Sequence, residues 1–156
     1  MNTPVDIFRK HPDALLPEYK SPGACAFDLA PIEDTVIEPG QIVRLKTGLI
    51  ICVPVGYTLL IAARSSLPKK FGLCIPQGFG IVDQDYCGPD DELLLQLLNF
   101  TDEPVTVKAG DRLAQGMFVP IMKCTFNEVS ELTNASRGGF GSTGHESLAP
   151  HPSPLL

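Results

Sequence analysis

Apolar residues in this chain come in short runs, not in long helical repeats. The runs are "QIVRLKTGLIICV" (41–53), "YTLLIAARSS" (57–66), "ELLLQLLNF" (92–100), "PVTVKAG" (104–110) and "QGMFVPIM" (115–122). "PVTVK" alternates, with Val105 and Val107 on one side and Thr106 on the other. The other runs are nearly continuous in Val, Ile and Leu, as in strands buried on both faces. "ELLLQLLNF" also fits a helical turn by periodicity; its length and its flanking turn residues favour a strand. "FNEVSELT" (126–133) can hold a short helix or turn. Fifteen Pro and fourteen Gly punctuate the runs about every ten residues, which predicts a compact all-β sandwich or barrel.

The chain has 156 residues, enough for one domain with a real core. Hydrophobic residues at 44% against 19% charged mark it as globular. A net charge of -6 argues against a general nucleic-acid or anionic-membrane surface. A small polyanion remains a possible ligand if the few cations are placed for it. The longest apolar stretch, "GLIICVPVGYTLLIAA", is broken by Pro54 and Gly56, so it reads as two strands and a turn rather than a membrane span. The polar opening "MNTPVDIFRKHPD" has no secretory pattern, which makes a cytoplasmic protein the expectation. Five cysteines without a C-x-x-C pair are expected to be reduced, buried thiols.

Candidate chemistry lies in four stretches. "GFGIVDQDYCGPDDE" (78–92) crowds five acids behind an apolar run. It fails as an EF-hand, since Cys87 and Leu94 stand where ligands are needed. As a hairpin, "GFGIVD" rises to Asp83, "DYCG" turns and "ELLLQLLN" returns, leaving Asp83 partly desolvated, as suits a general base. The plainer alternative is a solvated acidic turn. "AARSSLPKKFGL" sets Arg64 and two hydroxyls at a strand end, where they can fork onto phosphate oxygens or simply cap the next element. In "AGDRLAQGMF", Asp111 and Arg112 can pair with each other, and Gln115 can offer its amide to an anion. "SRGGFGSTG" (136–144) is either a plain linker or a flap of N–H donors that closes over an anion, with Phe140 able to cover a base. The stretch from His145 onward reads as a flexible tail.

Taken with "GACAFDLA" (23–30), the segments "ARSSLPKKFGL", "GIVDQDYCG", "GDRLAQ" and "RGGFGSTG" form an ordered set of five that resembles the trimeric dUTPase family. The resemblance spans Gly23 to Gly144. It implies an all-β, distorted jelly-roll or barrel-like fold with at most one short helix. It implies a β-rich core over 1–134 and a glycine-rich, flexible C-terminal arm and tail over 135–156. It further implies a homotrimer with active sites at subunit contacts, cleavage of dUTP to dUMP and pyrophosphate, and Mg2+ on the triphosphate. By position, Asp83 resembles the base that activates water, Tyr86 the ring under the deoxyribose, and Asp28 the acid that holds magnesium through water. Arg64, Ser65, Ser66, Gln115, Arg137, Gly141, Ser142 and Thr143 resemble phosphate-binding positions, Gln77 the residue at the base edge, and Phe140 the ring over uracil.

The chain departs from the family pattern at several points. Arg64-Ser65-Ser66 stands where Arg-Ser-Gly is usual, a variation shared with the related dCTP deaminases. A deaminase, alone or as a bifunctional deaminase–diphosphatase, is therefore an alternative. Those enzymes carry a glutamate where this chain has Gln96, which argues against it. "PDDE" (89–92) adds residues to the return of the hairpin, and the arm is shorter than the common form. A catalytically weak, regulatory nucleotide binder on the same scaffold is a further alternative.

Overall fold

The computed structural model describes residues 3–139. Its elements are short strands, and side-chain alternation explains most of them. In β9 (Leu94–Asn99), Leu95, Leu97 and Asn99 are buried while Leu94, Gln96 and Leu98 face outward. β4 (Ile42–Lys46) buries Leu45 only, and β6 (Tyr57–Ala63) buries Leu59 and Ile61. Burial along the whole strand is confined to β5 (Leu49–Ile51). The expectation that most runs are buried on both faces therefore holds for β5 and fails for β9, β4 and β6. Residues such as Ile42 and Leu94 add apolar character to outward faces, and that hid the alternation.

Four open sheets form. β2 (Phe27–Leu29), β11 (Ala114–Pro120), β6 and β8 (Phe79–Val82) make one, in the order β2-β11-β6-β8. β4, β9 and β7 (Leu73–Cys74) make another. β1 (Ile7–Arg9) pairs with β5, and β3 (Thr35–Ile37) with β10 (Val105–Val107). Every pairing is antiparallel and no sheet closes on itself, so the architecture is jelly-roll-like and not a closed barrel. The core gathers Leu29, Ile37, Leu59, Leu95, Leu97 and Leu113. Buried Asn99 is fully used. Its amide donates to the carbonyls of Ile37 (2.9 Å) and Glu103 (2.8 Å), and its oxygen accepts from Thr101.

One short helix is present among the described residues, α1 (Leu67–Phe71). Pro68 fits its first turn, where no intrahelical donor is lost. Gly72 ends it with φ +65, and a Cβ there would run into Thr101. Residues 126–133 contain neither helix nor strand. No helix among the described residues is long and apolar enough to cross a membrane. The chain divides into two units, one ending at Lys123 and one beginning at Cys124; the described part of the second has no regular secondary structure.

The expected hairpin is not formed. β8 lies along β6, whereas β9 lies between β4 and β7 in a different sheet. The connection between β8 and β9 is too long and irregular to be a turn, and it crosses from one sheet to the other. The cysteines also differ from expectation. Cys52 and Cys87 form a disulfide with Cα atoms 5.1 Å apart, while Cys25 and Cys124 are exposed and Cys74 is half-buried.

Candidate active site

Strand register builds the first group of polar residues. Gln115 in β11 stands directly opposite Asp28 in β2 and opposite Ala62 in β6. Phe27 turns its ring into the core, and Asp28 takes the other face. The ring lies so close to β11 that a Cβ on Gly116 would sit 2.7 Å from it, so glycine is required there. Asp28 keeps only 18% of its side-chain exposure. Arg64 Nε forms an ion pair with one of its oxygens (3.0 Å), and Arg112 Nη1 donates to the other (3.1 Å). Arg64 Nη1 also donates to the Arg112 carbonyl (3.3 Å), which ties the two cations together. Two guanidiniums against one carboxylate leave one positive charge and several free N–H donors, an arrangement suited to an anion. Gln115 Nε2 donates to the Ala63 carbonyl (3.1 Å), leaving its oxygen and second amide hydrogen. Ser65 and Ser66 follow Arg64 and are exposed. Ser66 sits at the N-cap position of α1 but makes no capping hydrogen bond.

Side-chain clasps build the second group. Thr58 donates its hydroxyl to the Val82 carbonyl (2.9 Å), and Gln84 donates its amide to the Tyr57 carbonyl (2.9 Å). Asp83 lies between these two anchored residues. It is exposed, and its carboxylate has no ion-pair partner among the described residues. Asp83, Gln84 and Asp85 line a concavity of about 370 Å³ with Tyr57, Thr58, Ile121 and Lys123. The Tyr86 hydroxyl donates to the Glu92 carbonyl (3.1 Å), which fixes the ring. The Cys52–Cys87 disulfide ties the next residue to the chain just after β5. Asp91 accepts from the Gly88 N–H (2.6 Å) and Glu92 from the Gly48 N–H (2.8 Å). Asp90 is exposed and pairs with Lys10 (3.4 Å). Asp91 and Glu92 are thus engaged by backbone donors, while Asp90 stays on the surface, so the plain solvated-turn alternative fits Asp90 and not its two neighbours.

The third group centres on Gln77, exposed on the turn between β7 and β8. The Gly78 N–H closes this turn onto the Ile75 carbonyl (3.0 Å), at φ +82. A larger concavity of about 950 Å³ lies elsewhere, beside Val5, Tyr19, Phe27 and Phe118, and holds none of these polar groups.

A family model described as dUTPase matches residues 13–144. The chain belongs to the dUTPase family. A deoxyuridine 5'-triphosphate nucleotidohydrolase of Desulfitobacterium hafniense is 43% identical over 145 residues, covering 90% of this chain and 94% of the relative. One from Helicobacter pylori is 38% identical, covering 90% and 96%. The crystal structure of dUTPase from Streptococcus mutans superposes with a TM-score of 0.72 at 32% identity, covering 78% of this chain and 98% of that one. The jelly-roll-like subunit with one short helix is the dUTPase fold.

Seen as dUTPase positions, Asp28, Arg64 and Gln115 come together in one group, and Asp83 and Tyr86 in another. No hydrogen bond or ion pair joins the two groups among the described residues. Arg137 is exposed in the second unit. Phe140, Gly141, Ser142 and Thr143 lie outside the described residues. Arg112 does not pair with Asp111; that carboxylate instead accepts from the Lys108 N–H (2.9 Å). Register decides the matter, since β2 runs beside β11 and brings Asp28 within reach of Arg112. Thr58 and Gln84 were not foreseen. Thr58 and Gln84 carry no pattern of their own, because their partners are backbone carbonyls.

Proposed function

We propose that this chain is a dUTP diphosphatase that hydrolyses dUTP to dUMP and pyrophosphate, with Asp83 as general base. The observation that carries this reading is the double clasp. Asp83 has both neighbours, Val82 and Gln84, clasped to β6 by side-chain hydrogen bonds while its own carboxylate stays free; Asp85 is free as well, but Tyr86 on its far side bonds only within the same loop. Asp83 takes a proton from water as the water oxygen bonds to the α-phosphorus, and the bond to the β-phosphate oxygen breaks to release pyrophosphate. A positioned base of this kind is worth on the order of 10²–10⁴-fold in rate. Arg64, with Ser65, Ser66 and Gln115, binds phosphate oxygens, and Arg64 is held in place by Asp28. Arg137, Gly141, Ser142 and Thr143 complete the phosphate contacts in this reading, and Phe140 covers the base. Tyr86, its hydroxyl engaged by Glu92, offers its ring to the deoxyribose.

The described residues contain no cluster of three or more acids, His or Cys able to cage a metal. That fits Mg2+, which such sites bind through one or two carboxylates plus substrate phosphates. Asp28, the acid among the phosphate-binding groups, would hold it through water, and the ion would supply neutralisation of the phosphate charge. No hydrogen bond or ion pair joins the two polar groups among the described residues, which supports a site shared between copies of a homotrimer. The test is Asp83→Asn in the full chain. Pyrophosphate release should fall on the order of 10²–10⁴-fold while dUTP binding persists. Turnover at the wild-type rate would refute the assignment.

A further inference from the structure

A line of polar side chains crosses the β4/β9/β7 sheet to the turn that carries Gln77. Arg44 and Gln96 are opposed in the register of β4 and β9. Arg44 Nε donates to Gln96 Oε1 (3.0 Å), and Gln96 Nε2 donates to Gln77 Oε1 (3.1 Å). One end sets the polarity of the whole line. A guanidinium has donors and no acceptor, so the oxygen of Gln96 must face Arg44. The NH2 of Gln96 then points to Gln77 and can only donate. Gln77 must answer with its own oxygen. The group left over is the Gln77 NH2, whose hydrogens have no partner among the described residues.

We infer that Arg44 and Gln96 are positioning residues for specificity: they hold the Gln77 amide with its donor end outward, so that the site prefers a pyrimidine with a carbonyl at ring position 4 over one with an amino group. The inference rests on the proposed function, in which Gln77 stands at the base edge. Uracil presents an acceptor at that position, and cytosine presents an N–H2 donor. A donor held toward cytosine faces another donor, and a group left unpaired at a desolvated contact is costly. A lone glutamine would not discriminate, because half a turn of its amide exchanges donor for acceptor. Two further side chains are needed to forbid that turn, and the structure supplies both.

Gln96→Glu in the full chain tests this. A carboxylate only accepts, so it keeps Arg44 and obliges Gln77 to donate to it, turning the Gln77 oxygen outward. The readout is kcat/KM for pyrophosphate release from dUTP and from dCTP. The dUTP-to-dCTP ratio should fall about tenfold in Gln96→Glu, through both a loss on dUTP and a gain on dCTP. Arg44→Met removes the lock without reversing it, and the ratio should fall about threefold with little change in thermal unfolding. Adding Gln96→Glu to Gln77→Ala should change the ratio no further. A ratio unmoved in both single variants, or an equal change in the Gln77→Ala background, overturns the inference. Wild-type protein that releases pyrophosphate from neither nucleotide brings down the proposed function as well. Should Gln96→Glu fail to fold, Arg44→Met decides alone.

Discussion

Asp28 and Asp83 are both carboxylates of the same β sheet, one within β2 and one just past β8, yet they are held in opposite ways. Asp28 lies within a strand pair, opposite Gln115, with both oxygens taken by guanidiniums and most of its surface covered. Its place is set by the ladder and by a phenylalanine packed against a glycine. Asp83 lies just past the end of β8 with its oxygens free, and its place is set by the Thr58 hydroxyl donating to the Val82 carbonyl before it and by the Gln84 amide after it donating to the Tyr57 carbonyl of β6. The first arrangement produces fixed charge with little freedom. The second produces a group that is positioned but chemically unoccupied, as a base must be. In the proposed reading the first group binds phosphate and the second accepts a proton, and strand register suits the former better than the latter.

The charge group should fail most severely when its fork is removed. Arg64→Met is expected to lower kcat/KM for dUTP by roughly 10²–10³-fold, in the range seen when a preorganised donor is lost. Arg64→Lys should recover little of it. An ammonium cannot reach both the Asp28 carboxylate and the Arg112 carbonyl in the geometry of a guanidinium. Full rescue by lysine would show that charge alone matters, and the contrast with Asp83 would lose its geometric basis.

The loop should respond to loss of its covalent tie more than the sheet does. Cys52 and Cys87 are separated by 35 positions, so the disulfide closes a sizeable loop. Its reduction, or the pair Cys52→Ala and Cys87→Ala, is expected to cost about 2–4 kcal/mol, measured by denaturant unfolding. Alkylation of both thiols in native, unreduced protein would contradict the bond itself.

A finer cut separates position from stability. Thr58→Val removes one hydroxyl from the clasp at nearly constant shape. It is expected to lower kcat about tenfold with KM little changed, since small displacements of a reacting group cost more than this at the extreme. Thr58→Ser keeps the hydroxyl and should restore most of the rate. Equal losses in both variants would point to packing instead of the hydrogen bond.

How much of this was legible depends on where the information lies. The all-β character followed from punctuated apolar runs, and the stretches around Arg64, Asp83 and Gln115 stand out in the chain itself, whereas Asp28 was picked out only by the family resemblance. Pairing did not follow. "GFGIVD" and "ELLLQLLN" are neighbours in sequence and look like a hairpin, but β8 is recruited by β6 and β9 by β4 and β7. Asp111–Arg112 looked like a local pair because adjacency is visible and register is not. Thr58 and Gln84 act on carbonyls, which every residue has, so no residue pattern could reveal their targets. The cysteine pair was hidden for the same reason: its two members meet only after the sheets are assembled.

The smallest expected effect tests whether burial is what distinguishes the Asp28 group. Asp34 and Lys108 form an ion pair (2.7 Å) at the surface, and Asp34 also accepts from the Ala109 N–H (2.9 Å). The hydrogen bond from Lys108 is the first cause that holds the Asp34 carboxyl below its ordinary range; the same contact raises Lys108 above its own. The signs give a window. The Asp34 contribution is present above the unfolded carboxylate value, about 4, and fades as pH falls through the lowered folded value. The Lys108 contribution is present below the unfolded lysine value, about 10.4, and fades as pH rises through the raised folded value. Asp34→Asn should therefore lower stability only slightly at neutral pH, and the difference should shrink at both extremes and in high salt. Asp28→Asn is the comparison. That substitution strands two guanidiniums beside a half-buried amide, and salt should rescue it poorly. If unfolding measurements at low and high ionic strength find the two variants equally salt-sensitive, the Asp28 group is an ordinary surface ion pair, and strand register confers on it no special hold.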